Sequence, residues 1–286
     1  MKGEHNIGML CELLGVSRSG YYRWQQPRPT RRQREDTDLA AQIARFHRQS
    51  RGNYGAPRIV EDLREAGSPT SRRRCARLMK QLGVRGRKKH RRKPRTTDSR
   101  HGRSVAPNLL KLAEVPSAPN QVWVTDITYL ETGEGWMYLA VILDAWSRRV
   151  LGWACAPTLA APLVVAALQI ALKHRRPPAG TIHHSDRGSQ YTDAQLLGLL
   201  DTAGMARSMS RAGNCYDNAM IESFWSTLKT ETCMDVIIPA TRRHAELAVF
   251  DYIETFYNPR RRHSSLGQIS PVAFELKHEK TNIKAA

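Results

Sequence analysis

Residues Gln121–Leu130 read QVWVTDITYL. Val122, Trp123, Val124, Thr125, Ile127, Thr128 and Tyr129 are β-branched or aromatic, which suits a strand covered on both faces. Asp126 sits in the middle of it. A lone charge buried there would cost on the order of several kcal/mol. Either the run is an edge strand with Asp126 turned to water, or the carboxylate has a partner or a cation.

The flanking sequence builds a sheet around this run. Thr132-Gly133-Glu134-Gly135 is a turn, Trp136–Leu143 a second strand, Asp144–Arg149 another turn and Val150–Ala156 a third strand. Tight turns between consecutive strands imply an antiparallel meander. Ala160–His174 then reads as a helix with Val164, Leu168 and Ala171 on one side, stopped by Pro177-Pro178. A fourth strand at Thr181–His184, a helix at Thr192–Ala203, a fifth strand at Ala206–Ser210 and a helix at Asp217–Thr232 complete the unit. The class is α/β, with a mixed five-stranded sheet covered on both faces.

Two more acids fall at positions that a sheet of this kind brings forward. Asp186 lies just past the fourth strand, at the carboxyl edge where α/β folds place their chemistry. There Gly188, Ser185 and Ser189 would admit a substrate backbone, although an Asp at a strand end is also an ordinary turn former. In GNCYDNAMIESFWSTLKTE, Asp217 can cap the last helix, so that Asn218, Glu222, Trp225 and Lys229 share a face. Glu and Lys at such spacings also occur on solvated faces. As a set the three acids suit two Mg²⁺ ions ~3.5 to 4 Å apart, since magnesium prefers hard oxygen ligands. Asp126 would bridge the ions, Asp186 and Glu222 would each complete one, and Lys229 would hold DNA by its reacting phosphate. Asp144 and Asp193 are rival acids whose turn and helix-start positions point to structural roles.

The net charge of +19 is unevenly placed. Met1–Pro107 carries 27 Lys and Arg against 9 Asp and Glu, whereas the remaining residues carry 18 against 17. A basic segment joined to a near-neutral one reads as a polyanion-binding module beside a packed domain. The five cysteines, Cys11, Cys75, Cys155, Cys215 and Cys233, show no zinc-site or disulfide spacing and are expected to be reduced thiols. The longest apolar run, Leu159–Leu172, is too short for a bilayer of ~30 Å, and the start does not resemble a secretory signal. A cytoplasmic, nucleoid-associated protein with no membrane partner is the expectation.

Within the basic third, Ile7–Trp24 outlines a helix-turn-helix, with Gly15 as the stop and Ser17 as N-cap. Its second helix offers Arg18 and Arg23 to DNA, although such hairpins are also purely structural. Pro27–Arg34 reads as a linker. Asp38–Gln49, Arg58–Ala66 and a helix from Ser71 to Gly83 form a second unit. The last of these has an apolar stripe of Ala76, Leu78, Met79 and Leu82 beside Arg72, Arg73, Arg74 and Arg77, the candidate DNA contacts. Arg85–Arg95 is too charged to pack and reads as a basic tether. The expected boundaries are thus 1–26, a linker at 27–37, 38–84, a basic linker at 85–119, a catalytic core at 120–235 and a helical extension at 236–286. In that extension Thr241–Tyr257 is a helix with Leu247, Phe250, Ile253 and Tyr257 at core spacing. Arg260, Arg261, Arg262 and His263 lie either along DNA or in a solvated turn.

Four segments together resemble the second-reading-frame transposases of the insertion-sequence-three family, in the retroviral-integrase superfamily. They are WVTDITY around Asp126, HSDRGSQY around Asp186, CYDNAMIESFWSTLKTE around Glu222, and the C-terminal FYNPRRRHSSLGQISPVAFE. Thirty-five residues separate Asp186 from Glu222, the D,D(35)E spacing of that superfamily, and Lys229 matches its basic residue after the glutamate. The resemblance implies an RNase H-like catalytic domain, Mg²⁺ or Mn²⁺ as cofactor, and cleavage and strand transfer of double-stranded DNA at element ends. It also implies an oligomer in the synapse and, in many relatives, fusion with an upstream reading frame. The chain departs from retroviral integrases in having no zinc-binding His/Cys spacing. Two other readings stand beside this one: a non-catalytic DNA-binding regulator, and an RNase H-like nuclease that cuts without joining.

Overall fold

The computed structural model describes residues 6–26, 29–88, 106–111, 114–210 and 219–285. The chain divides into two compact units, residues 1–86 and 87–286.

The first unit is all helical. Helices α1 (Ile7–Leu13) and α2 (Arg18–Gln25) form the expected hairpin, with Gly15 in the left-handed region at φ 63° and Ser17 Oγ accepting from the Gly20 N–H at 3.0 Å. Helix α3 (Arg31–Gln49) begins seven residues before the expected start at Asp38. Thr30 and Gln33 form a reciprocal capping box that satisfies the first-turn amides, so most of the supposed linker is helix. Helix α4 (Ala56–Glu65) carries Pro57 in its first turn, and α5 (Arg72–Gln81) starts at the Ser71 cap. The buried stripe of α5 is Cys75, Leu78 and Met79; Ala76 and Leu82 face solvent, because only one side of so short a helix meets α3 and α4.

The second unit is built on a five-stranded sheet of order β3-β2-β1-β4-β5. Strands β1 (Val122–Thr132), β2 (Gly135–Asp144) and β3 (Val150–Ala156) are the antiparallel meander. Strands β4 (Ile182–Ser185) and β5 (Ala206–Met209) run parallel to β1. This is the expected RNase H-like arrangement. Alternation along β1 sorts its side chains. Trp123 joins Ala140, Ile142 and Leu151 in a core with helices α6 (Ala161–Arg175) and α7 (Ala194–Thr202). Val124, Asp126 and Leu130, with Leu139 and Val141 opposite, face the other layer, to which α8 (Ala219–Glu231) and α9 (Arg242–Phe250) belong. Helix α6 lies close on β3: a Cβ at Gly152 would stand 2.7 Å from the Ala171 amide nitrogen and closer still to the Ala167 carbonyl.

The segment beyond α8 differs most from the sequence reading. The expected helix over Thr241–Tyr257 is α9 followed by a π-helical stretch, Asp251–Tyr257. Leu247 and Phe250 of α9 are 47% and 51% exposed, its buried face being Ala245 and Val249 instead, while Ile253 and Tyr257 are buried as expected, together with Tyr252 and Phe256. Arg261 and Arg262, expected along DNA or in a solvated turn, are only 6% and 7% exposed. Arg261 makes a bidentate pair with Glu231 at 2.8 and 2.7 Å, and Glu231 also accepts from the Tyr252 hydroxyl. Arg262 donates to the Gln268 carbonyl at 2.7 Å. Asn258 exchanges two hydrogen bonds with the backbone of Val150, closing the edge of β3. The C-terminal helix α10 (Pro271–Ala285) brings Glu275 to Arg149 and Arg175. This segment is integral to the second unit. The expected linker at 85–119 is also partly packed: Arg87 donates to the Glu231 carbonyl at 3.1 Å at the end of α8, and the Met209 and Leu109 amides tie residues 107–109 to β5. Most of the Arg85–Arg95 tether lies outside the described residues.

Candidate active site

Strand pairing brings the first two acids together. Strands β1 and β4 run parallel with Val122 level with Ile182 and Val124 level with His184. The same offset, carried two residues further, sets Asp126 level with Asp186, just where β4 has ended at Ser185. Neighbouring strands lie about 4.8 Å apart, and level residues of a parallel pair point the same way. Asp186 thus begins just where the strands part, close enough for its carboxylate to repel that of Asp126.

The electrostatics agree. Asp126 is half-buried by surface, and the protein packed around it desolvates its carboxyl. That burial, followed by repulsion from Asp186, pushes its carboxyl up to about 7; the Trp225 and Ile127 N–H groups oppose the rise, and Glu222 adds to it. Trp225 Nε1 donates to Asp126 Oδ2 at 2.8 Å. Asp186 is fixed by its own turn, since the Gly188 amide donates to Oδ1 at 2.8 Å. A Cβ at Gly188 would stand 3.0 Å from that oxygen, and Gly188 and Ser185 are buried. The bare Cα of Gly188 leaves room for the Asp186 turn. Glu222 is exposed in the first turn of α8, within electrostatic reach of Asp126. Lys229, two turns on, is half-buried; burial lowers its pKa and Asp126 opposes that shift.

Among the described residues no three acids or other ligands close into a finished metal cage. Asp126 and Asp186 are adjacent, and Glu222 stands at the same edge. The set still suits a hard divalent cation. It consists of oxygen donors alone, two of them repel each other, and the hydrogen bond that fixes Asp126 comes from a neutral donor. Asn218 and the Asp217 cap lie outside the described residues.

The rival acids have structural roles. Asp144 is fully buried and accepts from the Asn120, Trp146 and Ser147 amides and the Ser147 hydroxyl, closing the β2–β3 turn. Asp193 caps α7 through the Gln195 and Leu196 amides. In the first unit the candidate arginines divide. Arg74 and Arg77 pair with Asp36 at 2.7 and 2.6 Å, and together they hold its carboxyl below the usual range. Arg72 and Arg73 are exposed at the start of α5, and neither has an ion-pair partner among the described residues. Arg18 lies across α1 against Gly8, while Arg23 is exposed. Trp225 is the contact that the sequence reading missed as a site residue. Its only signal was a place on the face shared by Glu222 and Lys229.

Residues 33–93 match the HTH-like domain family, and residues 116–215 and 203–271 match two integrase core domain families. The Escherichia coli (strain K12) protein "Transposase InsF for insertion sequence IS3A" is 41% identical over 280 residues, covering 97% of this chain and 96% of its own length. The chain belongs to the IS3-family transposases. A Shigella sonnei relative, "Insertion element IS600 uncharacterized 31 kDa protein", is 46% identical over 269 residues, covering 94% of this transposase and 98% of its own length. Among solved structures, the catalytic core domain of BIV integrase is 18% identical with a TM-score of 0.43, covering 57% of this transposase and 99% of that chain. The integrase core matches run across the sheet and the C-terminal segment of the transposase, and a non-catalytic regulator is not favoured. No helix among the described residues is long and apolar enough to cross a membrane.

Proposed function

We propose that this transposase cleaves and joins DNA at the ends of its insertion element, with Asp126, Asp186 and Glu222 as the catalytic acids. The observation that carries the reading is the β1–β4 register, which sets Asp126 level with Asp186 beside the helix bearing Glu222. In the first step a water oxygen attacks a phosphodiester phosphorus at the element terminus, and the bond to the 3′-oxygen opposite breaks to leave a 3′-hydroxyl. In the second, that hydroxyl attacks a target phosphodiester and displaces another 3′-hydroxyl, with no covalent protein intermediate.

The three acids would hold divalent Mg²⁺ or Mn²⁺, two ions between them. Bound there, the ions would supply stabilisation of the attacking and leaving oxygens in an in-line displacement. Lys229, half-buried and near Asp126, would orient the scissile phosphate by its charge. Double-stranded DNA is engaged through the HTH-like unit, where α4 and α5 form the helix-turn-helix and Arg72 and Arg73 stand exposed at the start of its second helix. The working form would be an oligomer that holds two ends in the synapse.

Asp126→Asn and Glu222→Gln test the assignment. Both variants should bind terminal-repeat DNA nearly as the parent does and lose both cleavage and joining, by a gel assay on labelled ends with Mg²⁺ set against EDTA. Joining retained by either variant would sink the assignment, and cutting without joining in the parent would point to a nuclease. Repeating the assay with the upstream reading frame fused tests whether that partner is needed.

A further inference from the structure

We propose that Trp225 is a positioning residue for the reaction: its indole N–H holds one oxygen of Asp126 and so sets the helix carrying Glu222 against the strand carrying Asp126. This rests on the reading of Asp126 as a metal ligand.

Three observations support it. The Nε1 to Oδ2 contact of 2.8 Å joins residues 99 apart in sequence, and Trp225 is only 7% exposed. Trp225 follows Glu222 by three residues, one helical turn, so a bond from Trp225 to β1 also fixes where Glu222 stands relative to Asp126. The ring is itself held: Phe224 packs edge-on against it at 5.1 Å and against Tyr257 of the π-helical stretch at 4.9 Å. The C-terminal segment thereby orients the donor. A buried indole N–H needs some acceptor, and a backbone carbonyl would serve. The acceptor here is a carboxylate that has a like charge beside it. The donor's chemistry suits that neighbour. An indole N–H is neutral and donates only, so it removes rotational freedom from Asp126 and leaves the full negative charge for a cation. A lysine or arginine at this place would compete with the metal.

The test replaces Trp225 in the full-length chain by phenylalanine and by benzothienylalanine, a bicyclic isostere with sulfur in place of the N–H. Mn²⁺ binding without DNA is read by electron paramagnetic resonance, and joining of pre-cleaved ends is followed against Mn²⁺ concentration. Both variants should bind Mn²⁺ about tenfold more weakly, the size of a lost hydrogen bond to a charged group. Joining should half-saturate at correspondingly higher Mn²⁺, with DNA affinity unchanged. A purely structural role predicts instead a lower melting temperature with an unaltered Mn²⁺ dependence. Wild-type Mn²⁺ binding by the benzothienyl variant overturns the proposal, and that variant decides if Trp225→Phe fails to fold. Asp126→Asn is the control. If it binds Mn²⁺ as the parent does, Asp126 is no ligand and the underlying reading fails; if it loses binding while the benzothienyl variant keeps it, only the role of Trp225 falls.

Discussion

At the scale of single residues, the sheet buries groups whose protonation is set by their surroundings. His183 on β4 is 4% exposed beside His184, and burial, with the neighbouring imidazole, brings its pKa from 6.5 down to about 4. The folded state therefore disfavours the imidazolium that the unfolded chain forms below pH 6.5. The stability contributed by His183 is fully present above pH 6.5 and is lost as the pH falls towards 4, by at most roughly 3 kcal/mol. Urea midpoints at pH 7 and pH 4.5 should differ more for the parent than for His183→Gln, and equal differences would show that His183 is not the titrating group. Asp126 and Asp186 illustrate how little single residues disclose. Each sits in a run that also suits an ordinary structural acid, and only their nearness to each other, Asp126 on β1 and Asp186 just past the end of β4, separates them from Asp144 and Asp193.

At the scale of elements, most of the sheet and helices were legible because their patterns are local. The β-branched run at β1, the glycine turn before β2 and the prolines after α6 mark element ends to within a residue or two. Helix α3 was misjudged because the charge of Pro27–Arg34 hid the Thr30 and Gln33 capping box. The buried face of α9 was hidden because Leu247 and Phe250 outweigh the smaller Ala245 and Val249 in an apolar pattern, whereas Ile253 and Tyr257 beyond them are buried as that pattern implies. Close packing between elements yields a direct test. Gly152→Ala adds a methyl against the backbone of α6, where neither strand nor helix can yield cheaply. It should destabilise the second unit by about 1–3 kcal/mol, measured by chemical denaturation, whereas Gly198→Ala, which meets open space, should not.

At the scale of the whole molecule, the charge divides with the architecture. The basic excess belongs to residues preceding the sheet, and within the first unit its arginines fall into two sets. Arg72→Ala with Arg73→Ala should lower the salt slope of DNA binding by about two and leave the melting temperature unchanged. Arg74→Ala with Arg77→Ala should unpair Asp36, lowering the melting temperature and changing the salt slope little. Fluorescence anisotropy titrations at several salt concentrations distinguish the pairs, and equal slopes would refute the division. In the second unit the C-terminal segment is locked to α8 by Arg261 and Glu231, both buried. Arg261→Met leaves Glu231 charged and buried and should cost about 3–5 kcal/mol, while adding Glu231→Met should recover most of it. A double variant no more stable than the single one would show that the pair does more than neutralise itself.

By itself the sequence determined the α/β class and the strand and helix order, since these depend on neighbours a few residues apart, while the basic first third and the acid spacing are counted directly along the chain. Tertiary structure alone decided that Asp126 stands level with Asp186, that Trp225 reaches Asp126, and that Arg261 is buried against Glu231. Those pairings join residues from 30 to 99 positions apart, and no local period records which distant partner a side chain will meet once the layers close.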